Sequence, residues 1–362
     1  MKERLTKLAK RFAPYVGYPI FYLVCLALFV AWTFPYNKLR ERIVTSFNAQ
    51  QRATNGTQEL QIEDMSSYWV SGVRMKGVKL VSAAPEPSKP PSELKIDEAR
   101  VRMSMLPLLI GHQNLNFSLD AFGGEVKGSF ETHGKDREVE VTLDSIDLGQ
   151  VKSLVSLVGV PLEGKLGGEV KLAMPEGKAT KGSGSVELEA HDVAVGDGKA
   201  KLQGQFALPR MAVGTLSFSA DAKEGVLKIT KLAAGGKDLE LQGDGRIQMR
   251  ELAPESICDV SVRFKINDTY RSQSKSTEAL FGAPGSSMAP LIEMNADVKR
   301  SKRSDGFYGW AVRGPLGHPD YIPSPGSGGG TLPAVPLPSG GAVVRPGGMM
   351  PSPGGLTPKV AP

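Results

Sequence analysis

Along most of the chain, apolar and polar residues alternate one for one. Val126, Gly128 and Phe130 alternate with polar neighbours in GGEVKGSFE, Val139, Val141 and Leu143 in REVEVTL, and Val170, Leu172 and Met174 in GGEVKLAM. The same period returns in GSVELEA, AKLQGQFAL and DVSVRFKI, where Val260, Val262, Phe264 and Ile266 form the cleanest row. A strand points successive side chains to opposite faces, so period two predicts strands with one apolar face. Gly123-Gly124, Gly167-Gly168, Asp197-Gly198 and Gly235-Gly236 separate them as turn signals. Such dipeptides favour hairpins, and no long helical pattern intervenes to carry a parallel crossover. The pattern from about residue 93 to 313 therefore predicts a mostly β fold, a curved and mainly antiparallel sheet.

Three short helical patterns interrupt the strands, around 103–111, at 147–158 with Asp147 placed as a cap, and around 275–281. A proline-rich linker, PEPSKPP at 85–91, separates an early strand region from the main one. GGEVK occurs at 123 and again at 167, each time opening a strand; shared hairpin chemistry and internal duplication both account for it. Gly128, Gly168, Gly204, Gly243 and Gly245 all fall in the apolar register, where glycine fills a buried face poorly. They read as bend points of a long sheet, with a hairpin end and G1 bulge as the alternative at Gly243 and Gly245.

The N-terminal segment has a different pattern. Val16 to Phe34 runs 19 residues without a charge, about enough at 1.5 Å per residue to cross a bilayer core. We read it as a transmembrane helix. Lys2, Arg4, Lys7, Lys10 and Arg11 precede it against the single acid Glu3, which places residues 1–15 in the cytoplasm and the rest of the chain outside it. A cleavable signal peptide fits less well, since no A-x-A pattern follows and Trp32, Tyr36 and Lys38 suit interfacial anchors. Residues 35–55 then carry Leu39, Ile43, Val44 and Phe47 at spacings of an amphipathic, membrane-proximal helix. The β domain is expected over 56–322. The tail, 323–362, holds ten prolines and ten glycines with only Arg345 and Lys359 charged, a composition expected to stay disordered.

Composition narrows the chemistry. Aromatics make up 7% of the residues, and the net charge of +6 is partly concentrated beside the apolar segment, so nucleic acid is not an expected partner. The basic run Lys299, Arg300, Lys302, Arg303 lacks interleaved aromatics and reads as a solvated turn. Cys25 and Cys258 lie in different regions and give no disulfide or metal framework. His112, His133, His191 and His318 are scattered, without metal-ligand spacing. No GxSxG, P-loop or dinucleotide fingerprint occurs; QGDGRIQ lacks the third glycine and a following helix. An enzyme is not expected, and no catalytic, cofactor or metal residue is assigned. The sequons at Asn55, Asn116 and Asn267 matter only in a cell that glycosylates secreted proteins.

The order of these features resembles the type II secretion system protein N family (GspN) of deltaproteobacteria and spirochaetes. The matching stretches are the basic start and apolar segment, SYWVSGVRMKGVKLVS at 67–82, LKIDEARVRMSMLPLLIGHQNLNFSLDAFGGEVKGSF at 94–130, VKSLVSLVGVPLEGKLGGEVKLAM at 151–174 and WAVRGPLGHPDYIPSP at 310–325. The resemblance implies a single-pass inner-membrane protein with a periplasmic β domain, an accessory scaffold of type II secretion whose partners are other secretion components. More distantly, the short strands with GxLxG-type glycines resemble AsmA-like repeats. That likeness implies an envelope protein whose β groove binds or transports lipid. The proline-glycine tail lies outside both resemblances.

Overall fold

The computed structural model of the chain describes residues 36–53, 58–69, 71–82, 92–104, 111–152, 160–199, 206–286 and 288–325, with a few single positions between and before them. The proline linker, most of 16–34, Gly204, the segment 105–110 and the tail from 326 onward lie outside the described residues.

Helix α1 (Tyr36–Ala53) opens the described chain. Then come β1 (Gln58–Tyr68), β2 (Gly72–Ser82), β3 (Ser92–Met103), β4 (Gln113–Ala121), β5 (Gly124–His133), β6 (Asp136–Asp147), β7 (Leu162–Met174) and β8 (Ser183–Val195). A separate two-stranded hairpin, β9 (Lys201–Leu202) and β10 (Phe206–Ala207), intervenes before β11 (Met211–Lys223), β12 (Val226–Gly235), β13 (Leu239–Gln248) and β14 (Ile257–Ile266). Helices α2 (Asp268–Arg271), α3 (Lys275–Phe281) and α4 (Ala296–Ser301) lead to β15 (Tyr308–Pro315) and β16 (Asp320–Pro323). All but the small hairpin form one 14-stranded antiparallel sheet whose strand order follows the chain order, and β1 does not pair with β16. The sheet is therefore open, with two edges.

Several expectations need correction. The proline-rich linker does not separate two strand regions, because Ser82 and Ser92 on either side of it are register partners in one antiparallel pair. Gly167-Gly168 is not a turn: both residues lie inside β7, so only the first GGEVK opens a strand. The basic run is not a turn either. Lys299 and Arg300 end α4, and Arg300, Lys302 and Arg303 pair with Asp297, Glu293 and Asp305. The helix over 275–281 is present, started by a capping box in which Thr277 N–H donates to the Ser274 hydroxyl at 3.1 Å. Asp147 does cap, but its Oδ1 accepts from Gly149 N–H at the head of a 3₁₀ turn, Leu148–Gln150. Of the helix expected to follow, only Val151, Lys152 and Leu154 fall within the described residues, and the segment 105–110 expected as helical falls outside them.

Register shifts show where strands gain a residue. Ser219 pairs with Lys231 but Ala220 with Ile229, leaving Thr230 as an extra residue in β12. The same residue is skipped on the β13 side, between the pairs Ile229–Gly245 and Leu232–Gly243. Thr230 donates its hydroxyl to the Ser219 carbonyl at 3.0 Å. The bulge thus lies opposite Gly243 and Gly245 and not in their own strand, since β13 pairs with β14 without a shift. A second interruption, between Leu143 and Ile146 in β6, centres on Ser145 at φ 55°. Such bulges bend the strand and sharpen its twist.

The edge at β1 is covered by α1. Asn48 accepts from Leu60 N–H at 2.9 Å and donates to Leu60 C=O at 3.3 Å, so one side-chain amide takes the place of a neighbouring strand. Arg40 donates to the Glu63 carbonyl at 2.5 Å. An unpaired edge invites pairing with another chain, and this contact removes that option. Asn48→Ala should cost about 1–2 kcal/mol for two lost hydrogen bonds and should expose Leu60 to faster amide exchange; unchanged protection would refute the role.

The connections between β6 and β15 build the core at one end of the strands. Val160, Leu208, Met211, Ile266, Tyr270, Leu280 and Phe281 form one cluster, and Leu148, Ala190, Val193, Val213 and Ala234 another. Tyr270 is fully buried and donates its hydroxyl to the Pro209 carbonyl at 2.6 Å, while Tyr308 bonds Glu293 at 3.0 Å. Burial pushes both phenols up from the usual 10 to about 12. A raised folded pKa means that this stabilisation is complete below pH 10 and disappears as pH climbs through about 12. Urea midpoints should therefore fall across that window. The double variant Tyr270→Phe, Tyr308→Phe should be less stable near neutrality and show a flatter alkaline limb; an identical limb would exclude these groups.

Candidate functional site: an unbroken apolar sheet face

Residues paired across an antiparallel ladder share a face. Following the register from Met65 in β1, one row passes through Met75, Ala99, Leu119, Val126 and Leu143 and crosses Gly168 in β7. It continues through Leu188, Phe218 and Leu232, crosses Gly243, and ends on Val262, Trp310 and Pro323 in β16. Every strand of the sheet contributes, and no member is charged or polar. The next row on that face runs from Val73 through Phe117, Val141, Val170 and Val186 to Val260, Val312 and Tyr321. A third row includes Leu115, Phe130, Val139, Leu172, Leu227, Ile247 and Cys258. With strands about 4.8 Å apart, the face extends roughly 60 Å across the sheet.

The opposite face carries the charge. One of its rows reads Arg102, Asn116, Ser129, Glu140, Lys171, Ser185, Asp221, Lys228, Arg246, Asp259 and Arg313. Arg100 donates to Glu98 at 2.6 Å and to Asp120 at 2.9 Å, and Lys171 bridges Glu140 and Glu169 at 3.1 and 2.8 Å. These hydrogen bonds hold the Glu98 and Glu169 carboxyls below the usual range. Troughs of about 430 and 640 Å³ on this face are lined by such groups, most of which already have partners.

The two faces differ in what covers them. Toward the ends joined by the long connections, Leu166, Leu216 and Leu241 of the apolar face pack under Leu148, Leu154 and their neighbours. Toward the hairpin turns, Leu115, Phe130, Val139 and Leu172 stay only partly buried. The strip between is wide, apolar and walled along one long side.

The glycines in these rows divide into two kinds. Gly168 at φ 142° and Gly245 at φ 152° lie where the neighbouring backbone comes close, a Cβ meeting Glu187 O at 2.1 Å and Asp259 O at 2.4 Å. At Gly128 and Gly243, which keep ordinary φ, the nearest atoms are side chains, the Phe117 ring and Leu232, with the Glu140 and Ser261 carbonyls behind them at 2.7 and 3.0 Å. Gaps in the apolar rows are thus filled by neighbours and the surface remains continuous.

Histidines far apart in sequence partly converge: the β4–β6 hairpins bring the His112 and His133 rings to 4.6 Å. His191 lies 3.8 Å from Glu189, and His318 sits in the β15–β16 turn. Among the described residues no group of three or more His, Cys, Asp or Glu side chains is placed to hold a metal ion. Buried Cys258 donates to Gly314 C=O at 3.2 Å inside the third apolar row, and burial pushes its thiol up.

Of the 16–34 segment, the described residues include Tyr18, Phe21, Tyr22, Leu26 and Phe29, which are helical and 57–69% exposed. Among the described residues no helix is long and apolar enough to cross a membrane. The chain matches no known family model, no curated protein and no solved structure.

Proposed function

We propose that the protein is an envelope protein, tethered through residues 16–34, whose sheet holds the acyl chains of lipids. The observation that carries this reading is the apolar row from Met65 to Pro323, free of charged residues from β1 to β16. The row is half-buried, with Met65 and Ala99 buried, and a continuous apolar row across fourteen strands is larger than the patch a monomer usually carries without a use. An added strand would bring backbone groups that this face cannot satisfy, whereas hydrocarbon chains bring none. The exposed aromatic and aliphatic residues between Tyr18 and Phe29 support a tether in lipid. No catalytic step is assigned.

The test is capture in living cells. With p-benzoylphenylalanine in place of Leu143 on the apolar face, irradiation should give lipid adducts detectable by mass spectrometry. With the same residue in place of Glu187 on the polar face it should not. Equal yields at both positions would sink the proposal.

The second reading is an accessory scaffold of type II secretion in the inner membrane, its β domain in the periplasm. It is supported by the order of the matching stretches and by the outer edge of β16. Strand addition has little room, however: α1 covers β1, and β16 is four residues long and ends in proline. Deleting the gene and measuring exoprotein release tests it; normal release would count against it.

A further inference from the structure

The β1–β2 turn carries features that the apolar face does not use. Trp69 is 71% exposed and has φ 54°, a left-handed conformation unusual for a bulky residue. The Arg102 guanidinium stands 5.8 Å from its ring centre, and next to it Arg74 stands 5.4 Å from the ring of Tyr68. An indole this exposed contributes little to packing. An aromatic ring beside a guanidinium is the pairing suited to a membrane interface, where the ring lies among headgroups and the cation meets phosphate.

Helix α1 indicates which surface is meant. Arg40 bonds Glu63 and Asn48 bonds Leu60, so the helix runs antiparallel to β1. Its N-terminal end, into which residues 16–34 lead, therefore points the same way as the end of β1 where Tyr68 and Trp69 stand. Two observations, a strained exposed tryptophan under an arginine and the direction of α1, converge on one place.

We propose that this turn is an interfacial anchor. Trp69 and Arg102 enter the headgroup layer of the anionic bilayer that carries residues 16–34 and hold the hairpin ends of the first strands against it. The apolar face then opens at the membrane surface, where acyl chains can pass onto it. The inference rests on the tether reading above, and its consequence for acyl chains on the lipid-holding one.

The full chain with Trp32→Phe and Trp310→Phe keeps Trp69 as its one tryptophan. In vesicles of phosphatidylethanolamine and phosphatidylglycerol brominated near the headgroup, its emission should be blue-shifted and quenched at least about twofold relative to unbrominated lipid, as for an interfacial indole. Arg102→Gln should weaken that quenching. Emission of a water-exposed indole, quenched by iodide and indifferent to bromine, would overturn the proposal. Where Trp310→Phe fails to fold, p-benzoylphenylalanine in place of Trp69 gives the alternative readout, and absence of lipid adducts there overturns it. An aqueous Trp69 with adducts still forming at Leu143 removes the anchor alone. A bromine-quenched Trp69 without adducts at Leu143 supports the anchor and removes the lipid-holding reading.

Discussion

Gly168→Val should unfold or nearly unfold the sheet. At φ 142° the backbone sits where side chains are rarely tolerated, and a Cβ would lie 2.1 Å from Glu187 O and 2.8 Å from Leu188 Cα. The obstacle is backbone of the paired strand, which cannot turn aside as a side chain does. Backbone strain of about 1–3 kcal/mol adds to overpacking of about 1–3 kcal/mol. Together, at about 2–6 kcal/mol, these reach the lower end of the ~5–15 kcal/mol that holds a typical domain. Gly243→Ala should cost less, because its φ is ordinary and its Cβ would press mainly on Leu232 Cδ2, the end of a flexible chain, at 2.6 Å, with the Ser261 carbonyl at 3.0 Å. Thermal melting followed by circular dichroism separates the two. A cooperative transition for Gly168→Val at the wild-type midpoint would show that the close approach is unimportant.

Val186→Asp should abolish lipid capture while leaving a folded sheet. Val186 lies mid-sheet in the second apolar row, flanked by Val170 and Ala220. A short carboxylate there cannot reach the rim, so acyl chains passing over it would have to desolvate a charge. That penalty, about 1.5–3 kcal/mol after partial hydration, corresponds to a drop in bound lipid of about tenfold or more. Glu187→Ala, one residue along and facing the other way, should leave capture unchanged. The measurement is adduct yield at benzophenone-substituted Leu143, normalised to folded protein. Full yield from Val186→Asp would mean that the ligand does not cross the central strands.

The alternation of apolar and polar residues made the strands and their two-faced character legible, because period two is a local property. That the rows align across all fourteen strands was not. Alignment depends on register, which shifts at Thr230, at Ser145 and at further points in β3, β7 and β11, and no residue type in the sequence marks those points. Gly167-Gly168 misled because a glycine pair signals a turn and a close backbone approach equally well. The linker misled because proline content says nothing about whether the flanking strands pair. Of the site, the apolar residues were visible and their coverage was not: Leu148, Leu154 and Tyr270 reach the sheet from long connections. The edge cover by Asn48 and the Trp69–Arg102 pair depend on contacts 12 and 33 residues apart in the chain, beyond any local pattern.

The strand order has a consequence for how the molecule is made. Each large-sheet strand pairs only with its nearest large-sheet neighbours along the chain, so most contacts close short loops and each needs little search. A polypeptide whose N-terminal strands are made first can add one hairpin at a time to a growing template. Because α1 precedes β1 and seals that side, the nascent sheet has a single live end throughout synthesis. Assembly is then directional, like a zipper closed from the α1 side outward, and an arrested chain would already own a correctly registered stub.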